Sequence, residues 1–358
     1  MSSLVVQTSF LGDIVLTTPL IAELAGSGPV DVLTTPEGAT ILGNNPTIRN
    51  LIVYDRREFD RGLVGFTRTV GRIRHAGRYG TAESSTRLSR SDAHYSAAYL
   101  AQGSLRSAML VTAARVKRRV GFNTSEGRRF YTERVEYRAD RHHAERLWWL
   151  ARAGCAEAPR REQITPLLFP TPDDDYAAGA IVRDQLTDAA RPFVALAPGS
   201  VWATKRWPFY PELAVRIARD FNVVVVGGGA DVAIGDTIVS QLPKGCAANS
   251  AGRLGILASA ALIGRAIALV TNDSAPQHLA SAMNTPTVTT FGPTVPEFGF
   301  GPLAPHSQVA GNDGLACRPC DRHGPQKCPL GHWRCMRELS SADVFGLLTQ
   351  TLSQASAV

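Results

Sequence analysis

Short runs of β-branched and apolar residues recur along this chain, each stopped by Gly, Pro, Asn or Asp and most followed by a helical stretch. LVVQ (4–7), VDVLTT (30–35) and LIVYD (51–55) do so in the first half. FVALAP (193–198), FNVVVVGGG (221–229), IALVTN (267–272) and TVTTFGP (287–293) do so in the second. Strands that are apolar on both faces and alternate with helices build a parallel sheet covered on each side. Helical spacing is read over 14–24, 60–80, 142–154, 208–220, 231–242, 254–264, 276–283 and 341–354, with a further helix opening at Asp173–Asp175. Residues 96–119 carry strand or helix character, and the Ser/Arg-rich stretch 81–93 reads as a mobile surface loop.

The chain has 358 residues, and at roughly 100–200 residues per domain two domains are expected. Pro159, Pro166, Pro170 and Pro172 mark residues 156–175 as the linker. The expected division is a first domain over 1–165, a second over 176–335 and a C-terminal helix over 336–358.

Hydrophobic residues make up 44% and charged residues 19%, with no apolar run of the ~18 or more residues a membrane-spanning helix needs. The N-terminus lacks a basic segment followed by a long apolar one, so a cytosolic chain is expected. Lys and Arg number 38 against 31 Asp and Glu. The excess concentrates in residues 56–160, with 22 basic and 10 acidic residues. A basic half-molecule suits an anionic partner or is an arginine-rich solvated surface. Aromatic residues are sparse between 56 and 120, which speaks against stacking on nucleic acid.

In open parallel sheets ligands bind where strands end, so chemistry is sought there. Phe10-Leu11-Gly12-Asp13 follows the first strand. Gly12 permits a tight turn, and Asp13 is either a helix cap or a general base. Ala197-Pro198-Gly199-Ser200 leads into Thr204-Lys205-Arg206-Trp207-Pro208. Its amides, the Ser200 and Thr204 hydroxyls and the Lys205 ammonium suit phosphate oxygens, or form only a capped turn with a solvated lysine. Thr271-Asn272-Asp273-Ser274-Ala275-Pro276-Gln277-His278 ends another strand. Ser274 reads as an N-cap, Pro276 as the first turn of a helix whose N-terminus is an anion site, and Asp273 as an acceptor for sugar hydroxyls. A lone His278 in a helix reads first as structural.

These motifs, LGD, APGS with KRWP, and NDS-x-x-x-H followed by FGPT, resemble in order and spacing those of glycosyltransferase family 9, the heptosyltransferases. The resemblance covers nearly the whole chain. It implies an α/β GT-B fold, two Rossmann-like domains whose parallel sheets face a central cleft. It implies inverting, metal-independent transfer from ADP-L-glycero-D-manno-heptose to the lipopolysaccharide inner core, in the cytoplasm at the inner membrane. Asp13 matches the family's base. Gly12, Ser200, Thr204, Lys205, Asp273, Ser274, Ala275 and His278 fall on the donor side, and Asp231 on the ribose contact. The C-terminal helix is expected to pack back on the first domain. Where the family's donor loop usually has glycine this chain has Ala275, and Gln7 and Thr8 stand where a basic residue often precedes LGD. Arg106, Lys117, Arg118 and Arg119 are candidates for holding an anionic acceptor.

Cys155 and Cys246 read as small core residues. Cys317, Cys320, Cys328 and Cys335 lie within 19 residues of one another, near His323 and His332. A structural zinc site, free thiols, disulfides and an iron–sulfur cluster all remain open for them, and no cofactor is expected for catalysis itself. Asp173 and Asp175 have the Asp-x-Asp spacing of a metal clamp, but at a helix start they read as dipole-stabilising. A dinucleotide oxidoreductase would need G-x-G-x-x-G after its first strand, and none is there. A GT-B nucleotide-sugar epimerase and a non-catalytic anion-binding protein are the competing readings.

Overall fold

The computed structural model describes residues 2–79 and 95–356, the side chains of residues 78 and 79 excepted. The Ser/Arg-rich stretch 81–93 lies outside the described residues. The chain divides into two compact units, Met1–Pro166 and Leu167–Val358, with the boundary inside the proline-rich stretch.

In the first unit β1 (Ser3–Gln7), α1 (Leu11–Leu16), α2 (Thr18–Ala25), β2 (Val30–Thr34), α3 (Pro36–Leu42), β3 (Ile48–Val53), α4 (Gly62–Tyr79), β4 (Ala97–Leu100), α5 (Leu105–Ala113), β5 (Arg118–Phe122), β6 (Glu133–Val135), α6 (His143–Ala151) and α7 (Arg161–Ile164) follow one another. All six strands are parallel, in the order β3-β2-β1-β4-β5-β6. The second unit runs α8 (Pro172–Gln185), β7 (Phe193–Ala197), α9 (Tyr210–Ile217), β8 (Asn222–Val225), α10 (Val232–Val239), β9 (Ala247–Asn249), α11 (Ile256–Gly264), β10 (Ala268–Asn272), α12 (Ala275–Ala282), β11 (Thr287–Phe291), β12 (Gln308–Gly311), α13 (Arg334–Arg337) and α14 (Ser341–Ser356). Its sheet is again all parallel, ordered β12-β11-β10-β7-β8-β9. Both sheets follow one doubly wound plan, and each reverses direction once, between β1 and β4 and between β7 and β10.

The central strands β1, β2, β7, β8 and β10 are buried along their whole length, which is why they read as continuous apolar runs. The tryptophan pair of α6 packs beneath α2, where Trp148 Nε1 donates to Glu23 Oε2 at 3.0 Å and the Arg152 guanidinium closes on the same carboxylate. Trp207 of the KRWP motif is a core residue, its Nε1 donating to the Leu339 carbonyl at 2.9 Å.

Several expected features come out differently. The helix read over 14–24 is two helices, α1 beginning earlier at Leu11 and breaking at Thr17, whose hydroxyl turns back to the Asp13 carbonyl at 2.7 Å. Residues 96–119 resolve into β4, α5 and β5, while the short edge strands β6, β9 and β12 carried too little pattern to be read. Cys155 is exposed rather than a core residue, and Cys246 is half-buried. Asp173 and Asp175 sit in the first turn of α8, closed by a reciprocal pair in which Asp174 and Thr171 bond each other. Helix α14 packs on α9, β10, β11 and β12 of its own unit. No helix among the described residues is long and apolar enough to cross a membrane.

Candidate active site

In the first unit the polypeptide leaves β1 and turns into α1 within four residues, which puts Asp13 in the first turn of α1 at the switch point. The N-cap residue of α1, Phe10, makes no side-chain capping bond, and Asp13 is the acidic residue of the first turn. The Ser9 hydroxyl lies 2.8 Å from Asp13 Oδ2 and 2.7 Å from Gln7 Oε1. A hydroxyl has one hydrogen to donate, so it serves one of these acceptors at a time. Gln7 is itself fixed, its Nε2 donating to Thr17 Oγ1 at 3.0 Å. Asp13 Oδ1 stands 3.8 Å from His143 Nε2. His143 opens α6, aimed by its neighbour His142, whose Nδ1 accepts the Ala144 amide at 3.2 Å. Sequence reasoning missed His143, although the paired histidines at the start of a helix were its visible signal.

Beside this motif a cavity of about 700 Å³ opens at the carboxyl ends of β1, β2, β3 and β4. Thr8, Ser9, Phe10, Thr35, Arg56 and Arg106 are among its lining residues. Arg106 is built in: it donates to the Tyr54 hydroxyl and to the Gly62 carbonyl at 3.1 Å, and its guanidinium lies 5.7 Å from the centre of the Tyr54 ring. Arg118 is placed elsewhere. It opens β5 and pairs with Ala97, which in turn pairs with Ser3, so it stands at the amino end of the sheet, away from the cavity. There Arg118 is bonded to Glu133 at 2.8 Å and to the Tyr99 hydroxyl at 3.3 Å. Arg119 is likewise spent, on the backbone carbonyls of Val116, Lys117 and Phe130. Spacing along the chain could not tell the two ends of a strand apart.

In the second unit the predicted donor residues gather at the ends of β7, β8 and β10. Lys205 is only 8% exposed, and its Nζ lies 2.6 Å from Asp273 Oδ2. Thr294 donates to the same oxygen at 2.7 Å, and Gln277 donates to Asp273 Oδ1 at 2.9 Å. The carboxylate is therefore a buried holder of the lysine, and the ammonium keeps further N–H donors for a ligand. Asp231 Oδ2 accepts the Gly228 amide at 2.9 Å. Its carboxylate also fills the space over Gly199, where a Cβ would come within 2.2 Å of Oδ1. A Cβ at 199 would displace this carboxylate, which lies at the end of β7. Ser274 occupies the N-cap of α12 but makes no capping bond. Its hydroxyl instead faces the carbonyls of Asn272 and Gly199 at 3.3 and 3.4 Å, tying two strand ends together. Ala275 begins α12, and His278 is buried in it, edge-on to Phe300. The Ser200 hydroxyl accepts the Trp202 amide at 3.3 Å.

Two further features were not legible. Asn272 is fully buried; its Oδ1 accepts from the Trp207 amide and the Thr290 hydroxyl, both at 3.1 Å, and its Nδ2 donates to the Pro198 carbonyl at 2.8 Å. Burial holds the neighbouring Tyr210 phenol far above its usual range, opposed by the Thr290 hydroxyl, so it stays a neutral donor. The cysteine-bearing segment forms a strap on the Lys205 loop. Thr204 donates to the Pro325 carbonyl, so its hydroxyl is not directed at a phosphate. Gln326 accepts the Ala203 amide at 3.1 Å and donates to the Val201 carbonyl at 3.0 Å. Arg318 anchors the strap on the carbonyls of Gly292, Phe291 and Thr294.

Two of the strap thiols feel the sulfurs around them. Burial and the neighbouring sulfurs push Cys335 up to about 11 and raise Cys320. Partial burial pushes the Cys328 thiol up, but the backbone amides of Trp333, Leu330, His332 and Gly331 outweigh it and leave the group below its usual value. Yet among the described residues no three His, Cys, Asp or Glu side chains are grouped as metal ligands would be.

Two doubly wound parallel sheets in tandem, each with polar groups gathered at its switch point, define a GT-B-type glycosyltransferase. The family model for glycosyltransferase family 9 (heptosyltransferase) matches residues 87–332, and the chain belongs to that family. Lipopolysaccharide heptosyltransferase 1 of Pseudomonas aeruginosa is 29% identical over 89% of this chain and 86% of its own. Among solved structures, a family 9 glycosyltransferase from Veillonella parvula superposes with a TM-score of 0.82 at 20% identity, covering 99% of this chain and 97% of that one. The Escherichia coli ADP-heptose LPS heptosyltransferase II superposes at 0.75 with 22% identity, over 99% of this chain and 100% of its own.

Proposed function

We propose that this glycosyltransferase moves a heptose from an ADP-activated donor, with inversion, onto an anionic lipopolysaccharide inner-core acceptor, in the cytoplasm at the inner membrane. The observation that carries the reading is Asp13: a carboxylate in the first turn of α1, 2.8 Å from the Ser9 hydroxyl and 3.8 Å from His143, beside an arginine-lined cavity at the switch point of its sheet. Relatives whose names specify a lipopolysaccharide heptosyltransferase and an ADP-heptose enzyme support the choice of sugar and acceptor.

In this reading Asp13 takes the proton of the attacking acceptor hydroxyl. The hydroxyl oxygen bonds to the anomeric carbon from the face opposite the nucleotide, and the bond from that carbon to the diphosphate oxygen breaks. The electron pair leaves with ADP. Lys205, held in place by Asp273, faces that growing charge without having to reorganise. Asp231, at the end of β7 beside Gly199, takes the ribose hydroxyls. Arg106 holds an anionic group of the acceptor in the first unit's cavity. The transfer has no metal step.

The test is direct. The protein is incubated with ADP-heptose and a delipidated inner-core acceptor, and products are resolved by mass spectrometry with and without acceptor. Heptosylated acceptor and ADP in equal amounts are expected. A changed sugar nucleotide formed without acceptor would make the protein an epimerase instead. A thermal-shift panel of nucleoside diphosphates is expected to rank ADP first.

A further inference from the structure

The turn between β3 and α4 is built from the inside. Asp60 is 1% exposed; its Oδ2 accepts the Asp55 amide at 3.0 Å and pairs with Arg72 at 2.6 Å. Asp55 Oδ1 in turn accepts the amides of Arg57 and Glu58, both at 3.1 Å. Gly65 is obligatory where α4 crosses this turn, because a Cβ there would lie 2.1 Å from the Asp60 backbone carbon. A turn held by an ion pair on a buried carboxylate and by a close backbone crossing has a defined shape.

What that shape presents to solvent is apolar. Phe59 is 69% exposed, Leu63 80% and Val64 70%, all within six residues. Leu63 and Val64 occupy the outward face of the first turn of α4, while Thr69, Val70 and Ile73 face the core. Basic residues predominate around the three: Arg56, Arg57 and Arg61 are exposed beside the single exposed acid Glu58, and the Arg68 guanidinium lies 4.4 Å from the centre of the Phe59 ring while bonded to its carbonyl. Single exposed apolar residues are ordinary, but three on a rigid knuckle ringed by arginines mark a contact surface. Arg56 and Arg57 also line the mouth of the cavity beside Asp13.

We propose that this knuckle docks on an anionic lipid bilayer. Phe59, Leu63 and Val64 enter the headgroup–acyl boundary, and Arg56, Arg57, Arg61 and Arg68 engage lipid phosphates. An apolar wedge with a basic rim matches the two forces that hold a peripheral protein on such a membrane. The inference deepens the reading of a lipid-anchored acceptor: the cavity mouth is set at headgroup height, where a glycan leaving the bilayer would enter it.

The experiment is co-sedimentation of the full chain with vesicles of phosphatidylcholine and phosphatidylglycerol, against vesicles of phosphatidylcholine alone. Binding to the anionic vesicles is expected, weakening as salt is added. The triple variant Phe59→Ser, Leu63→Ser, Val64→Ser should bind them about tenfold more weakly or worse. Its thermal unfolding and its turnover on the delipidated acceptor should match the parent protein's. Phe59→Trp should shift its emission to the blue on vesicle addition, which reports insertion itself. The proposal is overturned if the parent protein ignores anionic vesicles, if the triple variant binds undiminished, or if the parent is dimeric and the triple variant monomeric. Vesicle binding is read without substrate. Failure of transfer would therefore overturn the proposed reaction and leave this inference standing, and the reverse holds as well.

Discussion

At the end of β1, Asp13 shares a single hydroxyl hydrogen with Gln7 and stands 3.8 Å from a histidine. At the end of β10, Asp273 has both oxygens filled by a lysine, a threonine and a glutamine. Each carboxylate follows one of the two strands that flank the switch point in sheets of one topology. The first faces a hydroxyl that also serves a second acceptor, with an imidazole beside it. The second is saturated, so its charge is consumed in holding another group still. A carboxylate at a switch point is therefore no sign of chemistry by itself; what distinguishes the two is which groups face them, a hydroxyl and a histidine at Asp13 and an ion-paired lysine at Asp273.

That contrast is broken or sharpened by substitution. Asp13→Asn should lower turnover by about 10²–10⁴-fold, the ordinary worth of a general base, while ADP affinity by calorimetry and thermal stability stay as they were. Full activity in that variant would remove the difference between the sites. Asp273→Ala should act the other way, on the fold. Removing one partner of a buried pair leaves the lysine uncompensated at a cost of about 3–5 kcal/mol, to be read as a lower denaturant midpoint. An unchanged midpoint would mean that the pair is not a structural unit. The smallest effect is expected from Ser9→Ala. Loss of one hydrogen bond of about 0.5–1.5 kcal/mol should change turnover by roughly two- to tenfold. If it matched the Asp13 variant, Ser9 would belong to the reaction itself.

The sequence made the alternation of strands and helices legible, because strands buried on both faces are apolar throughout and their ends carry Gly, Pro and Asn. The same logic found Gly12, Asp13, Ser200, Lys205 and Ser274, since each follows a strand end. It could not say how those residues are used. That Lys205 meets Asp273, 68 positions away, is a fact of sheet order. Thr204 and Arg118 looked like ligand contacts in the chain and are satisfied by Pro325 and Glu133 in the fold. Asn272 and Gln326 lay in view but carry no local pattern, because their partners come from strand ends and a strap distant in sequence. The edge strands β6, β9 and β12 are three or four residues long, too short for any periodicity to register.

The Ser9 hydroxyl, set between two acceptors, behaves as a rotor with two stops. While Asp13 is ionised, its hydrogen is best aimed at the carboxylate. In the proposed reaction, once that carboxyl group has taken the acceptor's proton, the demand there falls and the hydrogen can swing to the Gln7 amide oxygen. A turn about one C–O bond accommodates the whole change. The β1–α1 corner can thus keep the same heavy-atom shape before and after the proton moves, and a second catalytic cycle need not wait for a loop to reset.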